Sequence, residues 1–400
     1  MTCLAGHGRR AGRSKPEIAD VFRQYAHRLP ALSGHLARTV RAIINCRTAA
    51  LGGHVQKCDS CGHRVVTCNS CRNRNCPKCQ GIDELRWVER QQRWLLPIDY
   101  HHVVFTVPDA LHPLLLRSPR LGYGLLFAAV AETLREVALR PKNLGARIGF
   151  TAVLHTWSQL LAYHPHIHCI VTGGGLGPDG SRWIPAKRRF LFFVGVLGQV
   201  FRGKLLHKLE QALDSSELVD PDQDGHALLR RAARKDWNVY SKPPFAGPEQ
   251  VLRYLGRYTH RIAISNQRLV SVEDGNVTFR WRDRADGNAV RFQTLDAAEF
   301  LRRFLLHVLP PGFQRIRHYG LLANGCRHRD LETCRRLLRV EANSHHNETP
   351  STESWQELLL RVTGTDVTRC PECKTGRLHT IGRLEPVPSS ARPPPSGAAT

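Results

Sequence analysis

A run of paired cysteines between residues 58 and 79 constrains the fold of this chain more than any other sequence feature. The segment "KCDSCGHRVVTCNSCRNRNCPKCQ" contains Cys58-x-x-Cys61 and Cys76-x-x-Cys79, with fourteen residues between the two pairs. Each pair forms a knuckle that presents two thiolates to one ion, and two knuckles complete a tetrahedral zinc site. We therefore predict that these four cysteines share one structural zinc ion and leave no open coordination position for chemistry.

Further cysteines and histidines leave additional metal sites open. Close to the two knuckles, either a second zinc site or ordinary packing accounts for Cys46, Cys71, His54 and His63. Near the C-terminus, Cys370-x-x-Cys373 forms another knuckle. Its candidate partners are Cys326, Cys334 and His379. Because two cysteines are a weaker signal than four, the second zinc ion predicted there depends on the knuckle spacing alone.

The charge balance indicates a polyanionic partner. The 400 residues include 58 Lys and Arg against 34 Asp and Glu, which gives a net charge of +24. A surplus of this size is typical of proteins that bind nucleic acid. The N-terminus lacks the apolar run of a signal peptide, and the longest apolar stretch, at 190–201, is too short to span a bilayer. We therefore predict a cytoplasmic protein that does not bind a membrane.

Periodicity and composition predict an α+β fold with a mainly antiparallel sheet. Apolar strand-like segments at about 101–107, 150–155 and 166–172 are interspersed with helical patterns. The chain is expected to divide into a disordered basic tail (1–15), N-terminal helices with a zinc-binding domain (16–100), a central domain (101–320), a C-terminal region with a zinc knuckle (321–382) and a disordered tail (383–400).

One strand-like segment concentrates histidines. In "AYHPHIHCIV" (162–171), His166 and His168 share one face, because residues two apart on a strand point the same way. His164 joins them if the strand begins before Pro165. Two imidazoles about 7 Å apart along a strand can reach one divalent ion. Half-buried strands without metal also show this alternation, so the strand alone leaves both interpretations open.

A second segment, "VLRYLGRYTHR" (251–261), predicts a helix with two tyrosines one turn apart, Tyr254 and Tyr258. Beside them lie Arg253, Arg257 and Arg261. Periodicity alone also fits plain core packing, because Tyr258 continues an apolar repeat from Val251. A tyrosine hydroxyl with a pKa of about 10 is a poor nucleophile. Beside a divalent cation that polarises a phosphodiester, however, it can attack phosphorus and form a phosphotyrosine.

"HPHIH" followed by "YLGRY" resembles the HUH endonuclease superfamily, in which two histidines flank a hydrophobic residue and one or two tyrosines attack DNA. More closely, the chain is similar to the two-tyrosine transposases of rolling-circle insertion sequences. Segments that carry this similarity, from about 46 to 325, include "NSCRNRNCPKCQ", "AVLHTWSQLLAYHPHIHCIVTGGGL" and "KPPFAGPEQVLRYLGRYTHRIAISN". The resemblance implies an HUH endonuclease domain with the histidines on a central strand, a tyrosine helix packed across it and a zinc-binding domain ahead of it.

The resemblance also implies roles for individual residues. His166 and His168 would bind a catalytic Mg²⁺ or Mn²⁺, and Tyr254 and Tyr258 would be the nucleophiles. The third metal ligand stays open among His164, His155 and Gln159. The zinc-binding domain would include Cys58, Cys61, Cys71, Cys76 and Cys79. Asn75 stands where the family more typically has histidine, so if that histidine helps to bind zinc, the site here must recruit another ligand.

The predicted function is a bacterial, nucleoid-associated DNA transposase that nicks and rejoins single strands through 5′-phosphotyrosine intermediates. Its expected partners are single-stranded or hairpin transposon ends and target DNA. In "VTFRWRDR" (277–284), either a phosphate-tracking row or an ordinary solvated face is formed by Arg280, Arg282 and Arg284. The alternatives are an HUH replication initiator or relaxase, a non-catalytic zinc-containing DNA-binding protein and a metal-dependent hydrolase that needs no tyrosine.

Overall fold

A computed structural model describes residues 15–186, 191–242, 250–251, 256, 262–339 and 353–387. The helices within these ranges are α1 (Ile18–Tyr25), α2 (Gly34–Asn45), α3 (Gln80–Gln92), α4 (His112–Arg117), α5 (Pro119–Leu139), α6 (Val194–Asp214), α7 (Gly225–Ala233), α8 (Ala297–Leu305), α9 (Arg327–Leu337) and α10 (Trp355–Thr363). The strands are β1 (Gly53–Cys58), β2 (Arg64–Cys68), β3 (Tyr100–Thr106), β4 (Gly149–Trp157), β5 (Tyr163–Thr172), β6 (Gly174–Leu176), β7 (Trp183–Pro185), β8 (Val239–Lys242), β9 (Leu269–Glu273), β10 (Asn276–Asp283), β11 (Ala289–Asp296), β12 (Ile316–Gly320) and β13 (Leu378–Leu384).

A five-stranded sheet forms the centre of the molecule, in the order β12-β4-β5-β3-β8. Every neighbouring pair in it is antiparallel, and β5 lies in the middle. β4 is almost wholly buried, because both faces of the sheet are covered. On one face, Phe105 and Phe150 join a large apolar core with residues of α5 and α6 such as Phe127 and Phe201. The predicted α+β class with a mainly antiparallel sheet is confirmed.

The opposite face of this sheet is covered by α3. Trp87 of α3 packs with Tyr100 of β3, Ile170 of β5 and Val251. The α3 sequence fits this position, because its apolar residues recur at helical spacing while charged residues fill the outward side. Because Ile170 lies two residues beyond His168, the histidine face of β5 is the face beneath α3.

A second apolar core joins distant parts of the sequence. Phe22 of α1 contacts Phe304 of α8 edge to face, with ring centroids 5.6 Å apart. Phe300 of α8 packs against Phe279 of β10, the central strand of the β9-β10-β11 sheet. Asp296 begins α8 by accepting hydrogen bonds from the amides of the first turn, as an N-cap residue does. The N-terminal helices and residues 269–305 therefore form one unit.

The hairpin β1–β2 and the C-terminal strand β13 form a third sheet, in the order β13-β1-β2. β13 runs antiparallel to β1, from the Cys58–Leu378 pair to the Gly53–Leu384 pair. The strand therefore includes residues 383 and 384, which the sequence assigned to a disordered tail, and the tail beyond 387 lies outside the described residues. Among the described residues, no helix has the length and apolar character needed to cross a membrane.

Candidate active site

Three histidines from two neighbouring strands converge on the sheet face against which α3 packs. His166 and His168 lie on β5, and His155 lies on β4 directly opposite His166. One ring nitrogen from each histidine lies within 4.8 Å of the others. His155 is buried, whereas the two β5 histidines are partly exposed. The three histidines can therefore each offer one imidazole nitrogen to the same ion. Such a donor set suits a divalent transition metal.

The surroundings lower the pKa values of the two β5 histidines and orient their rings. Burial, followed by weaker effects of neighbouring groups that include Arg284, lowers the pKa of His166 to about 4. Burial likewise lowers the pKa of His168 well below its usual value. His166 Nδ1 donates to the His164 carbonyl oxygen at 2.7 Å, so its lone pair lies on Nε2. His102 Nε2 is 2.9 Å from His168 Nδ1 and fixes the orientation of that ring.

The third histidine of the cluster is His155 and not His164, the candidate nearest in sequence. His164 lies outside the group of converging nitrogens, and its carbonyl oxygen instead accepts the hydrogen bond from His166. Gln159 Oε1 accepts a hydrogen bond from the Arg282 amide at 2.9 Å, so it is engaged elsewhere. His155, a weaker sequence candidate, takes the third place because the β4–β5 register sets it opposite His166.

The predicted nucleophiles Tyr254 and Tyr258 lie outside the described residues, as do Arg253, Arg257 and Arg261. Two described residues of the same segment nevertheless show where it attaches. Val251 is fully buried against α3 and the central sheet. Gly256 is buried so close to α3 that an added Cβ atom would lie 2.7 Å from Val88 Cγ2 and 3.2 Å from Glu84 Oε1. Residues on both sides of Tyr254 therefore contact the elements around the histidine cluster.

Replacement of Gly256 tests this attachment. We expect Gly256→Ala to lower the free energy of unfolding by about 1–3 kcal/mol, because the stiff Val88 side chain cannot easily move aside. Thermal and urea denaturation would measure the loss. Gly203→Ala in α6 is the matched control, since a Cβ atom there meets nothing within 4 Å. A helical alanine at 203 should raise stability by about 0.5–1 kcal/mol. Equal responses of both variants would contradict the close contact with α3.

Four cysteines converge between α2 and α3. Cys46 ends α2, Cys79 precedes α3, and the loop between them supplies Cys71 and Cys76. The Sγ atom of Cys79 lies 3.4 Å from that of Cys46 and 3.6 Å from that of Cys71. Zn–S bonds of about 2.3 Å in a tetrahedron place the sulfurs about 3.8 Å apart, so the four thiols fit one zinc ion.

The pairing of cysteine knuckles predicted from their spacing is wrong. Cys76 and Cys79 meet Cys46 and Cys71, whereas Cys58 and Cys61 meet Cys370 and Cys373. The reason is the β1–β2 hairpin, which carries the first knuckle away from the second. The C-terminal knuckle consequently does not use the partners proposed for it. Cys334 is buried in a separate apolar cluster, and Cys326 Sγ donates to the Gly320 carbonyl oxygen.

The cluster of Cys46, Cys71, Cys76 and Cys79 does not require the histidine that the family typically has at position 75. Four thiols complete that cluster, and the Asn75 amide nitrogen donates to Asn73 Oδ1 at 2.8 Å. Cys46 supplies the fourth thiol of this cluster. In the sequence it was indicated by its position directly after a predicted helix and shortly before the knuckles. Arg74 in the same loop donates to the carbonyl oxygens of Leu309, Pro310 and Phe313, which fixes the cluster to the central domain.

Two of the predicted DNA-contacting arginines lie on one exposed sheet face. On β10, Val277 and Phe279 are buried while Arg280 and Arg282 are exposed, so the arginines face solvent on one side of the strand. Arg284 follows β10 directly, and its charge adds to the effect of burial in lowering the pKa values of His166 and His168. The exposed face of β10 therefore leads toward the histidine cluster.

Comparisons with known proteins agree with this arrangement. A family model described as "Transposase zinc-binding domain" matches residues 17–107, and one described as "Putative transposase" matches residues 149–330. The conjugative relaxase TrwC in complex with oriT DNA aligns with 58% of this chain and 96% of that chain, at 12% identity and a TM-score of 0.22. That structural likeness is too low to support an argument.

Two relatives match over most of their length. A protein of Sinorhizobium fredii named "Putative transposase y4qJ" is 48% identical over 382 residues, which cover 92% of this chain and 96% of the relative. The transposase for insertion sequence element IS801 of Pseudomonas savastanoi pv. phaseolicola is 30% identical over 296 residues, 72% of this chain and 70% of the relative. Since both matches extend well beyond a single motif, the chain belongs to the family of insertion-sequence transposases that includes the IS801 transposase.

Proposed function

We propose that this transposase cleaves and rejoins single DNA strands by HUH-type transesterification, with Tyr254 and Tyr258 as nucleophiles. The observation that carries the proposal is the convergence of His155, His166 and His168 on the sheet face where the tyrosine segment attaches through Val251 and Gly256. The test is a metal-dependent covalent bond between protein and DNA that requires the tyrosines.

In the proposed reaction, a tyrosine oxygen attacks the phosphorus of a phosphodiester. The new bond joins the tyrosine to the 5′-phosphate, the P–O3′ bond breaks, and the freed 3′-oxygen takes up a proton in exchange for the one that the phenol loses. Attack by a 3′-hydroxyl on the phosphotyrosine reverses these changes and joins the strand to a new end. Because the phosphotyrosine keeps the energy of the broken linkage, no nucleotide cofactor is required. A second tyrosine allows one strand to be held while another is cut.

The chain's own residues fit a divalent ion at the histidine cluster. His155, His166 and His168 would hold it, and His102 would orient His168 through the 2.9 Å hydrogen bond. When bound, Mg²⁺ or Mn²⁺ would polarise the phosphate oxygens and make phosphorus more electrophilic. The low pKa of His166, about 4, leaves its lone pair available throughout the physiological pH range. Imidazole ligands favour Mn²⁺ somewhat over Mg²⁺.

Two cations beside the cluster are suited to hold the DNA backbone. Lys242 ends β8 and pairs in register with His102. Its charge, after burial, helps to lower the pKa of His102 to about 3, and Arg284 acts in the same direction. Positive groups beside the histidines would contact the phosphates on either side of the one that reacts. We therefore assign Lys242 and Arg284 to phosphate binding.

The exposed face of β10 and β11 supplies a surface for single-stranded DNA. Arg280 lies opposite Phe292 and Arg282 lies opposite Val290, so basic and apolar side chains alternate across the two strands. Phe292 is 63% exposed and lies on the same face of β11 as the exposed Val290. Exposed aromatic rings stack on unpaired bases while neighbouring arginines contact phosphates. This face therefore suits an unpaired strand, such as one from a transposon end.

Substitutions on this face should separate the two contributions. Phe292→Ala is expected to weaken binding of a single-stranded oligonucleotide by about 1–3 kcal/mol, the contribution of one stacked base. Arg280→Ala/Arg282→Ala should weaken binding and reduce the slope of log K against log salt by about 1.4, which corresponds to two lost phosphate contacts. Fluorescence anisotropy at several salt concentrations measures both. Arg135→Ala on α5, where the side chain is also exposed, is the control. An equal loss from Arg135→Ala would contradict the assignment.

A further inference from the structure

A second cluster of four cysteines joins the β1–β2 hairpin to the C-terminal segment that carries β13. Cys58 ends β1, Cys61 follows it, and Cys370 and Cys373 precede β13. The Sγ atoms of Cys58 and Cys373 are 3.8 Å apart, and those of Cys61 and Cys370 are 3.7 Å apart. Both distances equal the edge of a zinc–thiolate tetrahedron, about 3.8 Å, within a tenth of an ångström.

The two knuckles have matching backbone geometry. In both knuckles the residue after the second cysteine donates its amide to the carbonyl oxygen of the first cysteine, Gly62 to Cys58 at 3.2 Å and Lys374 to Cys370 at 3.1 Å. Each knuckle also has one amide that approaches a cysteine sulfur, that of Cys61 at 3.5 Å from Cys58 Sγ and that of Gly376 at 3.3 Å from Cys373 Sγ. The residue after the second cysteine of each pair has a left-handed backbone, with φ of +74° at Gly62 and +58° at Lys374. Amide groups that point at sulfur favour a thiolate and are typical of metal knuckles.

The packing at this site is close on the side of Gly376. A Cβ atom added there would lie 2.5 Å from Cys58 Sγ and 2.7 Å from Asp59 Oδ1. The Asp59 carboxylate accepts a hydrogen bond from the Arg377 amide at 2.8 Å. The segment after the second knuckle is therefore seated directly on the first one.

Apolar burial cannot account for this junction. All seven residues of β13 are partly or fully exposed. In the described chain, the apolar clusters contain no residue of β1, β2 or β13. A small sheet with so little apolar burial needs another source of stability, and a structural metal ion is a common one.

We infer that Cys58, Cys61, Cys370 and Cys373 bind a structural zinc ion distinct from the one at Cys46, Cys71, Cys76 and Cys79. The ion anchors the C-terminal segment to the N-terminal hairpin. The same segment carries α10, where Arg361 pairs with Glu89 of α3. Because α3 contacts Gly256, the zinc ion also helps to hold the helix that covers the proposed active site.

Zinc content of full-length protein tests the inference. The wild type is expected to contain two zinc ions per chain by elemental analysis, and Cys370→Ser/Cys373→Ser only one. Cys58→Ser/Cys61→Ser should also contain one. The variant with all four substitutions is decisive. If the two knuckles share one ion, this variant loses only that ion and keeps the zinc ion at Cys46, Cys71, Cys76 and Cys79, which leaves one zinc per chain. Loss of both ions from the fourfold variant, with each double variant keeping one, would show that the knuckles belong to separate sites.

Hydrogen exchange gives a second measurement that does not depend on activity. In Cys370→Ser/Cys373→Ser, the amides of β13 should exchange rapidly while those of β5 stay protected, which also shows that the variant is folded. Cys326→Ser is the matched control, because it removes a thiol from the C-terminal part without touching the cluster. It should keep two zinc ions and a protected β13. One zinc ion in the wild type, with β13 protected in every variant, would overturn the inference.

Discussion

Tyr254→Phe/Tyr258→Phe is expected to form no covalent protein–DNA adduct. The change removes two hydroxyl groups and little else, so folding and zinc content should match the wild type. Loss of both proposed nucleophiles should reduce adduct formation by at least about 10³-fold, to the detection limit of the assay. The measurement is gel separation of adducts formed on single-stranded oligonucleotides from the element's ends, with Mn²⁺ or Mg²⁺.

The single variants and one control make this result specific. Tyr254→Phe and Tyr258→Phe, tested separately, rank the two nucleophiles by the adduct that each still forms. Tyr319→Phe should leave the adduct unchanged, because the Tyr319 ring stacks on Phe150 in the apolar core on the opposite face of the central sheet. Cleavage that persists in the double variant would contradict the proposal and indicate a hydrolase that uses the histidines. Absence of any adduct from folded, zinc-loaded wild type would indicate a DNA-binding protein without this activity.

His155→Ala is expected to reduce metal-dependent adduct formation by at least about 100-fold. Even the loss of an outer partner of a metal ligand commonly costs roughly 10–100-fold in affinity or activity, and His155 lies in the inner group of three. Part of the loss should be recovered at high Mn²⁺ concentration, because His166 and His168 remain. Titration of adduct yield against Mn²⁺ therefore measures the effect as a shift in the metal concentration required.

His164→Ala is the matched control, since it removes an imidazole from the same strand. Alanine retains the His164 carbonyl oxygen that accepts the hydrogen bond from His166, and the ring that is lost contacts His166 without contributing a nitrogen to the cluster. Adduct yield and Mn²⁺ requirement should therefore stay within about threefold of the wild type, whereas loss of a metal ligand costs far more. If His164→Ala shifted the Mn²⁺ requirement more than His155→Ala, the assignment of the third ligand would be reversed.

Local patterns predicted much of this structure. The apolar segments at 150–155 and 166–172 are strands, and the histidines of the second strand share a face, because alternation along a strand depends only on neighbouring residues. The family was also readable from the quoted motifs, and the relatives confirm it. The arginine alternation on β10 followed from the same two-residue period.

What failed depended on contacts between distant residues. The spacing of knuckles along the sequence favoured Cys58 and Cys61 with Cys76 and Cys79, yet their partners are Cys370 and Cys373. No local signal reports that β13 lies beside β1. His102, which the sequence did not single out, likewise joins the site through strand register, and the same register selects His155 from the three candidates that the sequence left open. Tyr254 and Tyr258 remain predictions, since they lie outside the described residues.

The pairing of β1 with β13 sets an order of events during synthesis. Leu378 leaves the ribosome 320 residues after its partner Cys58 (378 − 58), so one edge of β1 stays unpaired while the residues between them are made. At about 5–20 residues per second, that interval lasts about 15–60 s. A chain released early would keep this edge open. The β1–β2 hairpin can therefore form early, but the three-stranded sheet is complete only after β13 has been made.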